Sequence, residues 1–263
     1  MDRFPLRLNP LVSTPTETLI ELQSHFPEAT FESVAFIPNA FIAADLSRDD
    51  LIASPLYKKG KVYIQNLSSM LPALVLDPQQ GETVLDMCAA PGSKTTQLAA
   101  LMQNTGELVA NDASRSRMFK LQSLLKQFGV TNTTIKNTKG EFLWRTYPEY
   151  FDRVLVDAPC SMDQDLPQKK IKHLAKQQTF LLRSSCSCVR PGGRVVYSTC
   201  TSRPEENEHV VEWLLKKRDD MHIVPIDLTH LPETFKTPEG FLRIETHDMY
   251  ESFFVTCLER TTK

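Results

Sequence analysis

Two cysteines carry the first hint of chemistry. One ends the run Asp157-Ala-Pro-Cys160-Ser161, the other the run Ser198-Thr-Cys200-Thr201. Each follows an apolar stretch, 151–157 and 194–198, that reads as a buried parallel strand. As the fourth and fifth strands of an α/β sheet these lie side by side, bringing both thiols and Asp157 to one carboxyl edge. A lone cysteine is ordinarily a small buried hydrophobe. Two at adjacent strand tips, one of them three residues after an acid, point to thiol chemistry instead. A second stretch supplies a place for a ligand beside them. The strand 83–87 runs into Cys88-Ala89-Ala90-Pro91-Gly92-Ser93-Lys94, a turn that opens a helix. Pro91 fixes one φ, and Gly92 allows a sharp bend and close approach of a ligand. In an open α/β sheet such a turn places backbone amides and a helix N-terminus against the ligand. About 20 residues beyond the turn, the spacing such folds favour, the strand 107–112 ends in Asp112, an acid suited to the two hydroxyls of a ribose.

The elements needed to hold these residues can be traced along the chain. Thr14-Pro15-Thr16-Glu17 reads as a capping box opening a helix through His25. The segment 31–44 is strand-like, with a turn at Pro38-Asn39. Asn66 caps an apolar helix over 67–76. Helices over 95–103 and 115–128 follow the first two strands of the sheet, and a polar third strand covers 131–137. After Cys160 an irregular basic stretch, 163–172, precedes a helix over 173–189. Pro191-Gly-Gly193 turns the chain into the fifth strand, and a helix starts at Pro204. Strands near 222–226, 241–246 and 252–259 close the sheet antiparallel. Strand–helix alternation predicts a doubly wound, mostly parallel sheet. The division expected is a small N-terminal accessory segment, residues 1–60, and one catalytic domain, residues 61–263.

The chain has 263 residues, with 24% charged, 41% hydrophobic and a net charge of -2. That length suits one large α/β domain with an appendage. The charge excludes a polycation, so any nucleic acid must meet a local basic face. Lys169, Lys170 and Lys172, with His173 and Lys176, form such a run beside the cysteines; a solvated helix face is the alternative. No stretch approaches a membrane span and the N-terminus has no apolar run of leader length. The six cysteines show no zinc-ligand spacing, so no metal is expected, and reduced thiols in the cytoplasm are. Cys186 and Cys188, two apart on a helix, point apart. Trp144, Tyr147, Tyr150 and Phe151 read as packing.

Four motifs occur in order: Met87-Cys-Ala-Ala-Pro-Gly-Ser-Lys-Thr95, Asp157-Ala-Pro-Cys-Ser161, Pro191-Gly-Gly-Arg-Val-Val-Tyr-Ser-Thr-Cys200 and Pro204-Glu-Glu-Asn-Glu208. Together they resemble the Sun-type (RsmB/NOL-like) RNA cytosine-5 methyltransferases from about Val62 to Val211, with a weaker echo at Glu251-Ser-Phe-Phe-Val-Thr. The resemblance implies a Rossmann-like class I fold that uses S-adenosyl-L-methionine to make 5-methylcytosine in ribosomal or transfer RNA. It implies Cys200 as the nucleophile, Cys160 as an assistant in elimination and Asp157 at the pyrimidine edge. It also implies a cofactor held by Cys88 to Lys94, Asp112, Arg117 and Asp157, and RNA near Lys169, Lys170 and Lys172. DNA cytosine-5 methyltransferases share only the Pro-Cys cysteine, which is their nucleophile.

The chain departs from that pattern in three places. Ser93 stands where the family usually has a second glycine. Asn137-Thr-Lys-Gly140 follows the third strand where an acid is usual, the next acid being Glu141. Met162-Asp-Gln-Asp-Leu-Pro follows Ser161 where Gly-x-Gly is common. Two further readings stay open on sequence alone: a methyltransferase acting on a protein or small molecule, and a cofactor-binding RNA assembly factor with little turnover.

Overall fold

The computed structural model describes residues 3–228 and 231–262. The N-terminal unit is a four-stranded antiparallel sheet in the order β2-β3-β1-β4, built from β1 (Arg3–Leu8), β2 (Thr30–Ser33), β3 (Ala40–Ala44) and β4 (Val62–Ile64). The capping box at Thr14 is present, with the Thr14 hydroxyl accepting from the Glu17 amide, and opens α1 (Pro15–His25). Two short helices absent from the sequence reading, α2 (Arg48–Ala53) and α3 (Pro55–Lys58), are capped by Ser47 and Ser54. Phe4, Leu6, Leu8, Leu22, Leu51 and Val62 form this unit's own core. Because β4 pairs with β1, the N-terminal sheet runs to Ile64, past the boundary expected at residue 60.

Asn66 then caps α4 (Leu67–Leu76), its side chain accepting from the Ser68 amide. The main sheet contains β5 (Thr83–Asp86), β6 (Glu107–Asn111), β7 (Thr133–Lys136), β8 (Phe151–Asp157), β9 (Val189–Thr199), β10 (Met221–Ile223), β11 (Leu242–Ile244) and β12 (Phe253–Arg260). Its order is β10-β12-β9-β8-β5-β6-β7, with β11 also on β12. From β7 to β9 the strands are parallel, and β12 closes against β9 antiparallel, as the strand–helix pattern predicts. The chain order reverses between β5 and β8, the switch point where open sheets bind ligands.

Strand alternation buries both faces. Val84, Leu155 and Val196 pack with Leu67, Leu71 and Leu98 of α4 and α5 (Ser93–Leu101). Leu85, Val154, Val156, Val195 and Tyr197 pack with Leu181, Leu182 and Val211 of α7 (Gln168–Cys188) and α8 (Glu208–Leu215). Cys186 and Cys188 are fully buried in this second core, where burial pushes both thiols up to about 12. Between β6 and β7 lies α6 (Arg115–Gln127).

Three boundaries differ from the sequence reading. Helix α7 starts at Gln168, directly after Pro167 at its N-cap, so Lys169, Lys170 and Lys172 lie on its first turns rather than in a loop. Proline's fixed φ suits a helix entrance. Pro191-Gly-Gly193 is not a turn before β9 but a bulge inside it: Phe151 pairs with Val189, and Arg153 already pairs with Arg194. A side chain at 193 would meet Val189 Cγ2 at 2.6 Å and the Asp152 carbonyl oxygen at 2.7 Å, which explains the glycine. Helix α8 starts at Glu208, not Pro204, because Asn207 (φ -113°, ψ -101°) is held out of helical conformation. Its side chain bonds the Thr199 hydroxyl and the Thr201 carbonyl.

Candidate active site at the carboxyl edge of the sheet

A cleft of about 500 Å³ opens over the switch point, between the tips of β5, β6, β8 and β9. Of the residues expected to hold a cofactor, Cys88, Ala90, Asp112, Arg117 and Asp157 line it, together with Met87, Ser114, Gly140 and Glu141. Asp112 is fixed at the tip of β6: its carboxylate accepts from the Ala90 amide (3.1 Å) and the Ser114 amide (2.8 Å), and Arg117 lies 3.5 Å away. Arg117 also donates to the Ala90 carbonyl. A carboxylate offers about four acceptor positions, so each oxygen of Asp112 keeps capacity for a hydroxyl donor. The Asn137 side chain, where an acid is usual, donates to the Asp112 carbonyl (2.6 Å) and so steadies the same residue.

The remaining turn residues act from behind. Ala89, Pro91, Gly92 and Ser93 do not line the cleft. Gly92 has φ +116°, and a side chain there would meet Leu121 Cδ1 of α6 at 2.9 Å. The close approach that requires glycine is therefore to α6, not to a ligand. Burial, reinforced by Asp86, Asp112 and Asp157, holds the Cys88 thiol well above its usual range, which keeps it neutral. Asp86, unremarked in sequence, is 1% exposed; Thr95 donates to one oxygen at 2.7 Å and the other has no partner. The cleft volume and the spare capacity on Asp112 fit S-adenosyl-L-methionine, a ribonucleoside.

The thiol pair sits across the cleft. Cys160 and Cys200 are 3.1 Å apart, sulfur to sulfur, and both line the cavity. Both are half-buried. The shared hydrogen bond acts on them in opposite directions. It holds the Cys200 thiol below its usual range, against burial, with Lys94 helping and Asp157 opposing. The same bond, and then burial, pushes the Cys160 thiol far up. Of the two thiols, Cys200 is thus the one biased toward the thiolate and Cys160 the one biased toward S–H. Lys94 does not line the cleft but reaches Asp157 Oδ2 at 2.7 Å and Ser69 Oγ at 2.9 Å, while Ser198 donates to Asp157 Oδ1 at 2.8 Å. Nothing in the sequence flags Ser69; Ser198 stands inside a quoted motif without an evident task.

A buried polar frame holds the two cysteine loops in register. Glu206, fully buried, accepts from the Ser161 amide (3.0 Å) and the Gln178 side chain (2.8 Å), and Gln178 also donates to the Pro159 carbonyl (2.9 Å). Asp163 accepts from the Thr201 hydroxyl (2.6 Å) and the Ser202 amide (2.8 Å). Sequence reasoning quoted Glu206 in a motif but gave it no role, and missed Gln178 and Asp163. Met162, where a glycine is common, and Asp163 beside it adopt φ +55° and +54°, a left-handed conformation that Asp tolerates and that costs Met of order 1–2 kcal/mol. Met162 lines the cleft mouth. Lys169, Lys170 and Lys172 are exposed and do not line it.

The chain matches the family described as 16S rRNA methyltransferase RsmB/F over residues 73–259. Ribosomal RNA small subunit methyltransferase F of Salmonella heidelberg is 40% identical over 237 residues, 82% of this chain and 49% of that protein. The protein of the same name from Erwinia tasmaniensis is 39% identical over 235 residues, with the same coverage of 82% and 49%. The chain therefore spans about half the length of the curated relatives it matches. Among solved structures, a methyltransferase homologue from Pyrococcus horikoshii superposes with a TM-score of 0.85 at 30% identity, covering 99% of this chain and 86% of that one. NSun6 from Pyrococcus horikoshii with SFG gives 0.86 at 20% identity, covering 99% and 91%, a likeness of fold. With a model match across most of the main sheet and relatives at 40% identity, the chain belongs to the RsmB/F family of 16S rRNA methyltransferases.

Proposed function

We propose that this chain methylates carbon 5 of a cytosine in small-subunit ribosomal RNA, using S-adenosyl-L-methionine and a covalent bond between Cys200 and the base. The observation that carries the reading is the polarised thiol pair, 3.1 Å apart and beside the Lys94–Asp157 ion pair. Carbon 5 of cytosine is a weak nucleophile, and a thiolate added at carbon 6 turns it into an enamine-like one. Cys200, the more acidic thiol of the pair, makes that S–C6 bond as its thiolate. Electron density moves to the pyrimidine edge, where Asp157 and the ammonium bonded to it offer a shared proton. The cofactor supplies an electrophilic methyl group that carbon 5 takes. The carbon 5 proton then leaves to water and the S–C6 bond breaks. The S–H of Cys160 stabilises the departing Cys200 thiolate through the bond it already makes. Asp112 and Arg117 hold the nucleoside end of the cofactor. The choice of ribosomal RNA rests on the names of the curated relatives.

The test exploits the asymmetry of the thiols. Cys200→Ser abolishes methylation and any adduct. Cys160→Ala slows attack by removing the bond that favours the Cys200 thiolate but slows release more, so a denaturing gel shows a slow-migrating protein–RNA species that the double variant lacks. An adduct in Cys200→Ser that depends on Cys160 reverses the assignment. Wild-type protein that yields neither adduct nor 5-methylcytosine on ribosomal RNA is an RNA assembly factor instead.

A further inference from the structure

A second cavity, about 550 Å³, lies between α7 and the short 3-10 helix Gly140–Arg145. It owes its lining to the three-residue period of that helix, in which residues i and i+3 eclipse. Gly140 and Leu143 face inward and are buried. A side chain at 140 would meet Leu181 Cδ2 at 2.7 Å, and the Ser184 hydroxyl donates to the Gly140 carbonyl at 2.8 Å. The helix is thereby pressed onto α7, and the period leaves Phe142 and Trp144 outward.

Phe142 is 47% exposed, Trp144 44%, and Phe180 of α7, on the facing wall, 43%. Sequence reasoning took Trp144 for packing together with Tyr147, Tyr150 and Phe151; those three do pack on one another, and Trp144 does not join them. Cations frame the rings. The Arg145 guanidinium lies 5.2 Å from the Phe142 ring centre and 5.5 Å from that of Trp144, and Lys139 and Arg183 complete the rim. With Glu141 as the one acid in the lining, the groove is net positive on a chain whose net charge is -2. It also adjoins the active site, with Glu141 on the wall between the two cavities.

We propose that this groove is a single-stranded RNA platform: Phe142, Trp144 and Phe180 stack unpaired bases flanking the target cytosine, and Lys139, Arg145 and Arg183 hold their phosphates. Exposed aromatic faces inside a cationic groove are the chemistry that binds unpaired nucleic acid without reading its sequence. A protein partner would also cover apolar surface, but the surplus of cations and the position beside a site built for a base favour RNA. The inference rests on the RNA methyltransferase reading.

Trp144 is its own reporter, since the chain has two tryptophans and Trp213→Phe leaves one. Titrating that variant with a single-stranded oligocytidylate of about ten nucleotides should quench its emission, and the corresponding duplex should not. Trp144→Ala with Phe142→Ala should raise KM for RNA by about tenfold with kcat and cofactor affinity little changed. Arg145→Gln with Arg183→Gln should reduce the slope of log affinity against log salt by about 1.4. Methylation of ribosomal RNA without quenching, and with KM unmoved in the double aromatic variant, overturns the platform and leaves the enzyme reading intact. Quenching by the single strand without methylation keeps the platform and overturns the enzyme.

Discussion

Asp86 is the residue whose environment most opposes its ordinary state. Burial raises its pKa from 3.8 to about 7, against the hydrogen bond from Thr95. The folded chain therefore binds this proton more tightly than the unfolded chain does. The stability it contributes is fully present below pH 3.8 and is lost progressively as pH rises to about 7. Asp86→Asn keeps an oxygen to accept from Thr95 and removes the titration. Its stability advantage over wild type should grow by roughly 2–3 kcal/mol between about pH 5 and pH 8, at about 1.4 kcal/mol per unit until the folded pKa is passed. Thermal melts of the ligand-free chain at several pH values measure this, and parallel curves for the two proteins would refute it. The same residue shows why a catalytic centre is hard to read from a list of motifs: its consequence lies in an oxygen left without a partner, which no spacing reveals.

At the scale of elements, the N-terminus of α7 places three lysines where the helix dipole disfavours cations, with no acid in the first turn. An arriving phosphate relieves both charges. Replacing Lys169, Lys170 and Lys172 together by Gln should weaken RNA binding and flatten the salt slope by about two, and should slightly stabilise the RNA-free chain. A slope that does not move would place the RNA elsewhere. The sequence could yield β5, β6, β8, α4 and α6 because they carry continuous apolar runs or clear caps. It did not yield β1, where Phe4, Leu6 and Leu8 alternate with Arg3, Pro5 and Arg7, but Pro5 argues against an inner strand, and Arg7 is buried where the alternation would expose it. Nor could it separate a turn from a bulge at Pro191-Gly-Gly193, since both need the same residues. In the site, strand tips brought Asp157, Cys160 and Cys200 together on paper. Which thiol is the more acidic depends on Lys94 and on one sulfur–sulfur contact, and both are matters of distance.

The molecule as a whole is two sheets joined by buried polar side chains. Arg7 of β1 donates to Gln65 (3.2 Å) and to Thr96 (3.0 Å) in α5, and burial lowers its pKa to about 10. Asn9 donates to the carbonyls of Gly60 (2.8 Å) and of Phe128 (3.0 Å), at the end of α6. Asn9→Ala orphans both carbonyls and should cost about 2 kcal/mol, roughly 4–8 °C in melting temperature. A melt unchanged by the substitution would show that Asn9 adds nothing to the joint beyond what Arg7 and the apolar contacts supply. At the opposite flank, β12 lies hydrogen-bonded between β9 and β10 and also pairs with β11. On a ribosome, where chains emerge N-terminus first, β9 must wait for it with a bare apolar edge of the kind that invites misassociation. Thr199, the neighbour of Cys200, finds its register partner Phe254 only then. The tip of β9 that carries Cys200 is therefore among the last parts of the main sheet to mature, and folding helpers that shield strand edges should matter more to its yield than those that rescue the cofactor turn.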